Sequence, residues 1–94
     1  MKIHCVVLNW NDWASTILCV KSLFDNGVAA EHILIVDNAS TDGSPACLRR
    51  ELPEVPLAVA PRNLGFAAGM NFGARLILER CDEGDAIIFV NNDA

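Results

Sequence analysis

Ile33-Leu34-Ile35-Val36-Asp37-Asn38-Ala39-Ser40-Thr41-Asp42-Gly43-Ser44-Pro45 is the stretch that decides the fold. Four branched aliphatic residues in a row, with no polar alternation, suit a strand covered on both faces, as in a parallel sheet between helices. A polar loop follows, and Ser44-Pro45 reads as the N-cap and first residue of a helix. Strand, polar loop and helix together make half of a βαβ unit. The same pattern recurs outward from it: residues 3–8, 57–60 and 86–90 are further short apolar runs. Between the first two runs, Trp13, Ile17, Val20 and Phe24 recur at helical spacing behind Asp12, a candidate N-cap, and Asn26-Gly27 supplies a stop. Leu52-Pro53 ends the second helix, and a third spans residues 66–80, with Glu83-Gly84 beyond it. The order β-α-β-α-β-α-β predicts an α/β fold: a three-layer, Rossmann-like parallel sheet with flanking helices and right-handed crossovers. Strand order 3-2-1-4 is expected, because it puts the switch point between strands one and four.

At 94 residues the chain is one domain at most, with a small core, and residues 1–94 are read as a single unit. Its 52% hydrophobic content excludes disorder and points to apolar surface normally covered by something outside the chain. The sequence stops at Ala94, just after the fourth run and without a closing helix, which reads as a truncation. A net charge of −5 argues against nucleic acid or an anionic membrane as partner, since both need a basic footprint. No apolar run approaches the roughly 20 residues of a membrane span, and with only Lys2 before a strand-like run no signal peptide is expected. Cys5, Cys19, Cys47 and Cys81 form no C-x-x-C pair and read as reduced residues of a cytoplasmic protein, with Cys5 and Cys19 in apolar segments.

Polar residues follow every apolar run. The clusters are Asn9-Trp10-Asn11-Asp12, residues 37–44, Pro61-Arg62-Asn63-Leu64-Gly65, and Asn91-Asn92-Asp93. Parallel strands bring all four to the carboxyl edge of the sheet, where open α/β sheets bind ligands. Asp37 ends a buried strand, where an unpaired carboxylate is costly, and it can accept hydrogen bonds from a base N–H or a ribose hydroxyl. Asp42, Gly43 and Ser44 are explained by a turn and a helix cap. Neither G-x-G-x-x-G nor a P-loop is present, so an ordinary dinucleotide site is not expected. Asp93 is one carboxylate beside two amides, a weak metal site until a nucleotide diphosphate adds its oxygens. The alternative reading of Asn91-Asn92-Asp93 is a turn and nothing more.

Taken together, Val6-Val7-Leu8-Asn9-Trp10-Asn11, the segment from Ile35 to Ser44, the segment from Asn63 to Gly73, and Phe89-Val90-Asn91-Asn92-Asp93 resemble a family 2 glycosyltransferase, most closely its rhamnosyltransferase-like branch. The resemblance covers essentially the whole chain. It implies the nucleotide-binding half of a GT-A fold, an inverting transfer from a nucleoside-diphosphate sugar to an acceptor hydroxyl on a saccharide or lipid-linked acceptor, and a place in polysaccharide biosynthesis. It implies nucleoside contacts from the strand-one motif (Asn9, Asn11) and Asp37, and a base or phosphate contact from Arg62. The D-x-D motif of the family falls on residues 91–93, so that Asn91 would accept a ribose hydrogen bond and Asp93 would hold Mn²⁺ or Mg²⁺. Asn91 departs from that motif by bringing no charge. The family's catalytic base lies beyond the D-x-D, hence beyond Ala94, so the chain is expected to be inactive alone. With the edge of strand four open and helix faces uncovered, it is also expected to self-associate. In its full-length form it is expected at the inner face of the membrane. Gly69 and Gly73, four apart, are expected to pack a helix closely on the sheet. A non-catalytic sugar-nucleotide-binding module and a ligand-free flavodoxin-like domain are the competing readings.

Overall fold

A computed structural model of the chain describes residues 2–92. Asp93 and Ala94 lie outside the described residues, and with them the expected metal ligand. Four strands, β1 (Ile3–Asn9), β2 (Ile33–Asp37), β3 (Leu57–Val59) and β4 (Ala86–Val90), alternate with α1 (Trp13–Asp25), α2 (Ser44–Glu51) and α3 (Gly65–Leu78). A short 3-10 turn, Ala30–His32, leads into β2 and had no counterpart in the sequence reading. All strand pairs are parallel and the order is β3-β2-β1-β4, as expected.

Alternation along the two central strands builds the layers. Cys5, Val7, Ile33 and Ile35 face α1 and α2, where Ile17, Cys19, Val20, Leu48 and Leu52 cover them. Val6, Leu34 and Val36 face α3 and meet Met70 and Ile77. The chain moves outward through β1, β2 and β3 with its helices on one face, then returns past β1 to β4 with α3 on the other. All three crossovers therefore share one hand, as the packing of twisted strands requires. Burial pushes the Cys5 and Cys19 thiols up, and Cys19 also feels Cys5. Both are free, protonated core residues.

Local chemistry explains the ends of α1. The Asp12 carboxylate accepts from Ser15 N (3.4 Å), and Gly27 takes φ +87° just past the end. The start of α2 lies one residue before the sequence reading put it. Ser44 is already helical, Gly43 (φ +81°) holds the N-cap position, and the Asp42 carboxylate accepts from Ser44 N at 2.9 Å. Close packing decides α3. A Cβ on Gly73 would stand 2.7 Å from Val6 Cγ1 and 2.8 Å from Val36 Cγ2, and one on Gly69 would stand 2.8 Å from Leu8 Cδ1. Both glycines let the helix axis approach the sheet.

Candidate functional site

The carboxyl ends of the strands are stitched together by side-chain amides and hydroxyls. Asn9, the last residue of β1, is 0% exposed. Its Nδ2 donates to Asp37 Oδ1 (2.9 Å), and its Oδ1 accepts from Thr16 Oγ1 of α1 (2.6 Å). Thr16 Oγ1 in turn accepts from Asn92 Nδ2 (3.1 Å), just past β4. One chain of bonds thus joins the ends of β4, β1 and β2. The groups are complementary: the Asn9 amide oxygen faces a hydroxyl, and the Asn9 and Asn92 amide nitrogens face oxygens.

Asp37 is likewise 0% exposed. Besides Asn9, its carboxylate accepts from Ser40 N (2.9 Å) and Ser40 Oγ (2.7 Å). Three donors offset the cost of burying the carboxylate. Ala39 sits between these partners at φ +61°, a left-handed conformation that costs a non-glycine residue roughly 1–2 kcal/mol. The Ser40 bonds hold it there. Ser40 Oγ also accepts from Asn11 N (2.9 Å), and Asn11 Oδ1 accepts from Thr41 N (2.7 Å). The loops after β1 and β2 are therefore one unit. Asn38 extends the unit to the third loop: its Oδ1 accepts from Leu64 N (2.8 Å) and its Nδ2 donates to the Gly65 carbonyl (3.0 Å).

The expected site residues thus fall into two groups. Asn9 and Asp37 are sealed inside the network and present no surface to a ligand in this state. Asn11 is half-buried on the edge of the joined loops, Arg62 is exposed on the loop after β3, and Asn91 is exposed past β4. Arg62 makes no hydrogen bond or ion pair among the described residues. Thr16, Asn38 and Ser40, which carry most of the cross-links, were not among the expected site residues. The signal for Thr16 was available, since it is a polar residue on the inward stripe of an amphipathic helix.

Between β1 and β4, at the switch point, Leu8, Trp10, Asp12, Phe66, Met70, Val90, Asn91 and Asn92 line a cavity of about 160 Å³. Trp10 and Phe66 stand over it 52% and 61% exposed. Enclosed pockets for drug-sized ligands run from about 300 Å³ upward. This cavity can take only part of a larger ligand, whose remainder would lie along the open edge. The oxygen donors here, the Asp12 carboxylate and the side-chain carbonyls of Asn91 and Asn92, are hard ligands of the type Mg²⁺ and Mn²⁺ accept. The described His, Cys and carboxylate side chains that do converge to metal-binding spacing, His4, Cys81 and Asp85, lie at the other end of the strands.

A doubly wound parallel sheet with polar side chains gathered at its switch point is the arrangement at which open α/β sheets bind ligands. Residues 5–94 match the glycosyl transferase family 2 model, and the chain belongs to that family of transferases. A mannosyltransferase from Pyrobaculum calidifontis, solved in complex with GDP-Man and Mn²⁺, has the same fold, with a TM-score of 0.76 and 22% identity. The match covers 99% of this chain and 28% of that one. No curated protein matches the chain in sequence. None of the described helices is long and apolar enough to cross a membrane.

Proposed function

We propose that this chain is the donor-binding part of an inverting glycosyltransferase that uses a nucleoside-diphosphate sugar. The observation that carries the reading is the cross-linked carboxyl edge, where three strand-end loops are fixed as one surface beside the switch-point cavity. Such preorganisation is costly in buried polar groups and backbone strain, and a ligand-free flavodoxin-like domain has no use for it. Asn9 and Asp37 would act by holding the loops, and Asn11 and Arg62 would make the direct contacts. The diphosphate would lie toward the amino terminus of α3, where the helix dipole and the Arg62 guanidinium both favour negative charge. Asn91 would accept from a ribose hydroxyl. Asp93 would hold Mn²⁺ or Mg²⁺ with the diphosphate oxygens, and the hard donors of this edge fit such an ion. Bound there, the metal supplies Lewis-acid stabilisation of the departing diphosphate. The acceptor hydroxyl, on a saccharide or lipid-linked acceptor, and the catalytic base would be met by the rest of a longer enzyme acting in polysaccharide biosynthesis at the cytoplasmic face of the membrane.

The test is a thermal-shift and calorimetric panel of dTDP, UDP and GDP, each with and without Mn²⁺. dTDP-rhamnose follows from the branch the motifs resemble, and GDP-mannose from the ligand of the structural neighbour. A ligand at 100 times its Kd stabilises the native state by about 2.7 kcal/mol, which a melt resolves. One diphosphate is expected to bind more tightly with Mn²⁺. Asp93→Ala should remove that Mn²⁺ gain, Arg62→Ala should weaken binding with or without metal, and Asn91→Ala should weaken it less. Absence of a shift with every diphosphate, or an unchanged Mn²⁺ gain in Asp93→Ala, defeats the assignment.

A further inference from the structure

The amino-terminal edge of the sheet carries a second cluster with its own chemistry. His4 is the second residue of β1, on the face that α3 covers. Cys81 follows the end of α3, and Asp85 immediately precedes β4. Their ligand atoms, a ring nitrogen of His4, Cys81 Sγ and an Asp85 carboxylate oxygen, all lie within 4.8 Å of one another. The His4 and Asp85 side chains are only 9% and 4% exposed. From His4 to Asn9 along β1 is roughly 16 Å at strand rise, so the cluster is separate from the carboxyl-edge loops.

Part of this arrangement is explained by strand and loop structure alone. Lys2 N donates to Asp85 Oδ1 (2.9 Å) and Asp82 N to Asp85 Oδ2 (3.0 Å), which fixes the carboxylate. The His32 ring packs edge-on against His4 at 5.2 Å and fixes the imidazole plane. Cys81 is a half-buried thiol that packs against the α3-face core and makes no hydrogen bond among the described residues; packing accounts for its burial. Those contacts do not account for its convergence with His4 and Asp85. His4 Nε2 and Asp85 Oδ2 are 3.2 Å apart. Two ligands each about 2.0 Å from a tetrahedral ion stand about 3.3 Å apart, so these two already span one edge of a zinc tetrahedron. A small movement of the Cys81 side chain completes a face.

We propose that His4 Nε2, Cys81 Sγ and the Asp85 carboxylate form a binding site for a borderline divalent cation of the Zn²⁺ type, with water at the fourth position. The donor set selects the ion. Thiolate and imidazole favour Zn²⁺ or Co²⁺ and disfavour Mg²⁺ and Mn²⁺, so this site and a hard-oxygen site at the carboxyl edge would not compete for one metal. Binding releases the Cys81 thiol proton to solvent and replaces the hydrogen bond between His4 and Asp85. The backbone N–H groups of Lys2 and Asp82 stay on the carboxylate as supporting partners. The ion would clamp the start of β1 to the turn between α3 and β4, adding to the Asp85 hydrogen bonds, the Ala86–Lys2 backbone bond, the β1–β4 ladder and an exposed 3.9 Å pair between Lys2 and Asp82.

Titration of the reduced protein with Co²⁺ tests this directly. One equivalent is expected to bind with a thiolate-to-cobalt charge-transfer band, to be displaced by Zn²⁺, and to persist in excess Mg²⁺ or Mn²⁺. Cys81→Ser, nearly isosteric and half-buried, should lose the band, whereas Cys47→Ser should keep it. Zn²⁺ should raise the melting temperature of the wild type and of Cys47→Ser but not of Cys81→Ser. Circular dichroism of the metal-free variants checks that each is folded. The proposal is overturned if no charge-transfer band forms at millimolar Co²⁺, if the band survives in Cys81→Ser, or if Zn²⁺ stabilises that variant as much as the wild type.

Discussion

Thr16 has no ionisable group and sits in the middle of a helix, yet it holds the ends of β1 and β4 together. Its hydroxyl is fully buried, donates to Asn9 and accepts from Asn92. Thr16→Val keeps the shape and removes both bonds, leaving Asn9 Oδ1 without its donor. A loss of about 1–3 kcal/mol is expected in urea unfolding, together with weaker nucleotide binding as Asn92 is released. Asp85 gives the residue scale a pH signature. The Lys2 and Asp82 N–H groups, and after them His4, hold its carboxyl down at about 2, against an ordinary 3.8. The group is depressed on folding, so its contribution is fully present above the unfolded value and is lost as pH falls through the folded one. With a chelator present, melts across about pH 4 to pH 2 should show stability falling, and Asp85→Asn should flatten that part of the profile.

At the scale of the element, α3 shows packing overriding propensity. Replacing a mid-helix glycine by alanine ordinarily gains about 1 kcal/mol. At Gly73 the new methyl would meet Val6 and Val36, two fully buried β-branched side chains of restricted χ1. At Gly69 it would meet the end of Leu8, which can rotate, and Asn38 Nδ2 at 3.3 Å. Gly73→Ala is therefore expected to destabilise by about 1–3 kcal/mol in denaturant unfolding, and Gly69→Ala by less. Equal effects at both positions would mean that α3 simply shifts away from the sheet.

The whole molecule has two unpaired sheet edges among the described residues, and they differ. β3 is three residues long, which blunts an edge. β4 is five residues long, and its Ile88 and Phe89 are 46% and 49% exposed, one on each face. With its open N–H and C=O groups, β4 is a template for another chain. We expect the isolated chain to self-associate through this edge, most simply as a two-fold dimer. Light scattering across a concentration series should show mass rising with concentration, and Phe89→Lys should return it toward the monomer. A wild-type monomer at high concentration with cooperative unfolding would show that the four-stranded unit needs no cover.

Strand and helix periods, the Asp12 cap and the Asn26-Gly27 stop were legible in the sequence, because each depends on residues within a turn or two of chain. The glycine pair of α3 was legible from its four-residue spacing, although the side chains it packs on lie on β1 and β2. The strand order was legible too: alternating strands and helices of one crossover hand leave few topologies, and the polar runs marked the carboxyl edge. What Asn9, Asp37 and Asp85 do was not legible, because it depends on partners 28 and 81 positions away. A polar residue at a strand end reads as ligand-facing until folding supplies the donors that bury it. Asp37 met those donors in Asn9 and Ser40, Asn9 met its own in Thr16, and both became the frame of the edge. Asn11, Arg62 and Asn91 stayed at its surface. The gathering of His4, Cys81 and Asp85 at the opposite edge was likewise decided only by tertiary structure, since β1 and β4 are brought side by side by the return crossover and by nothing local in either strand.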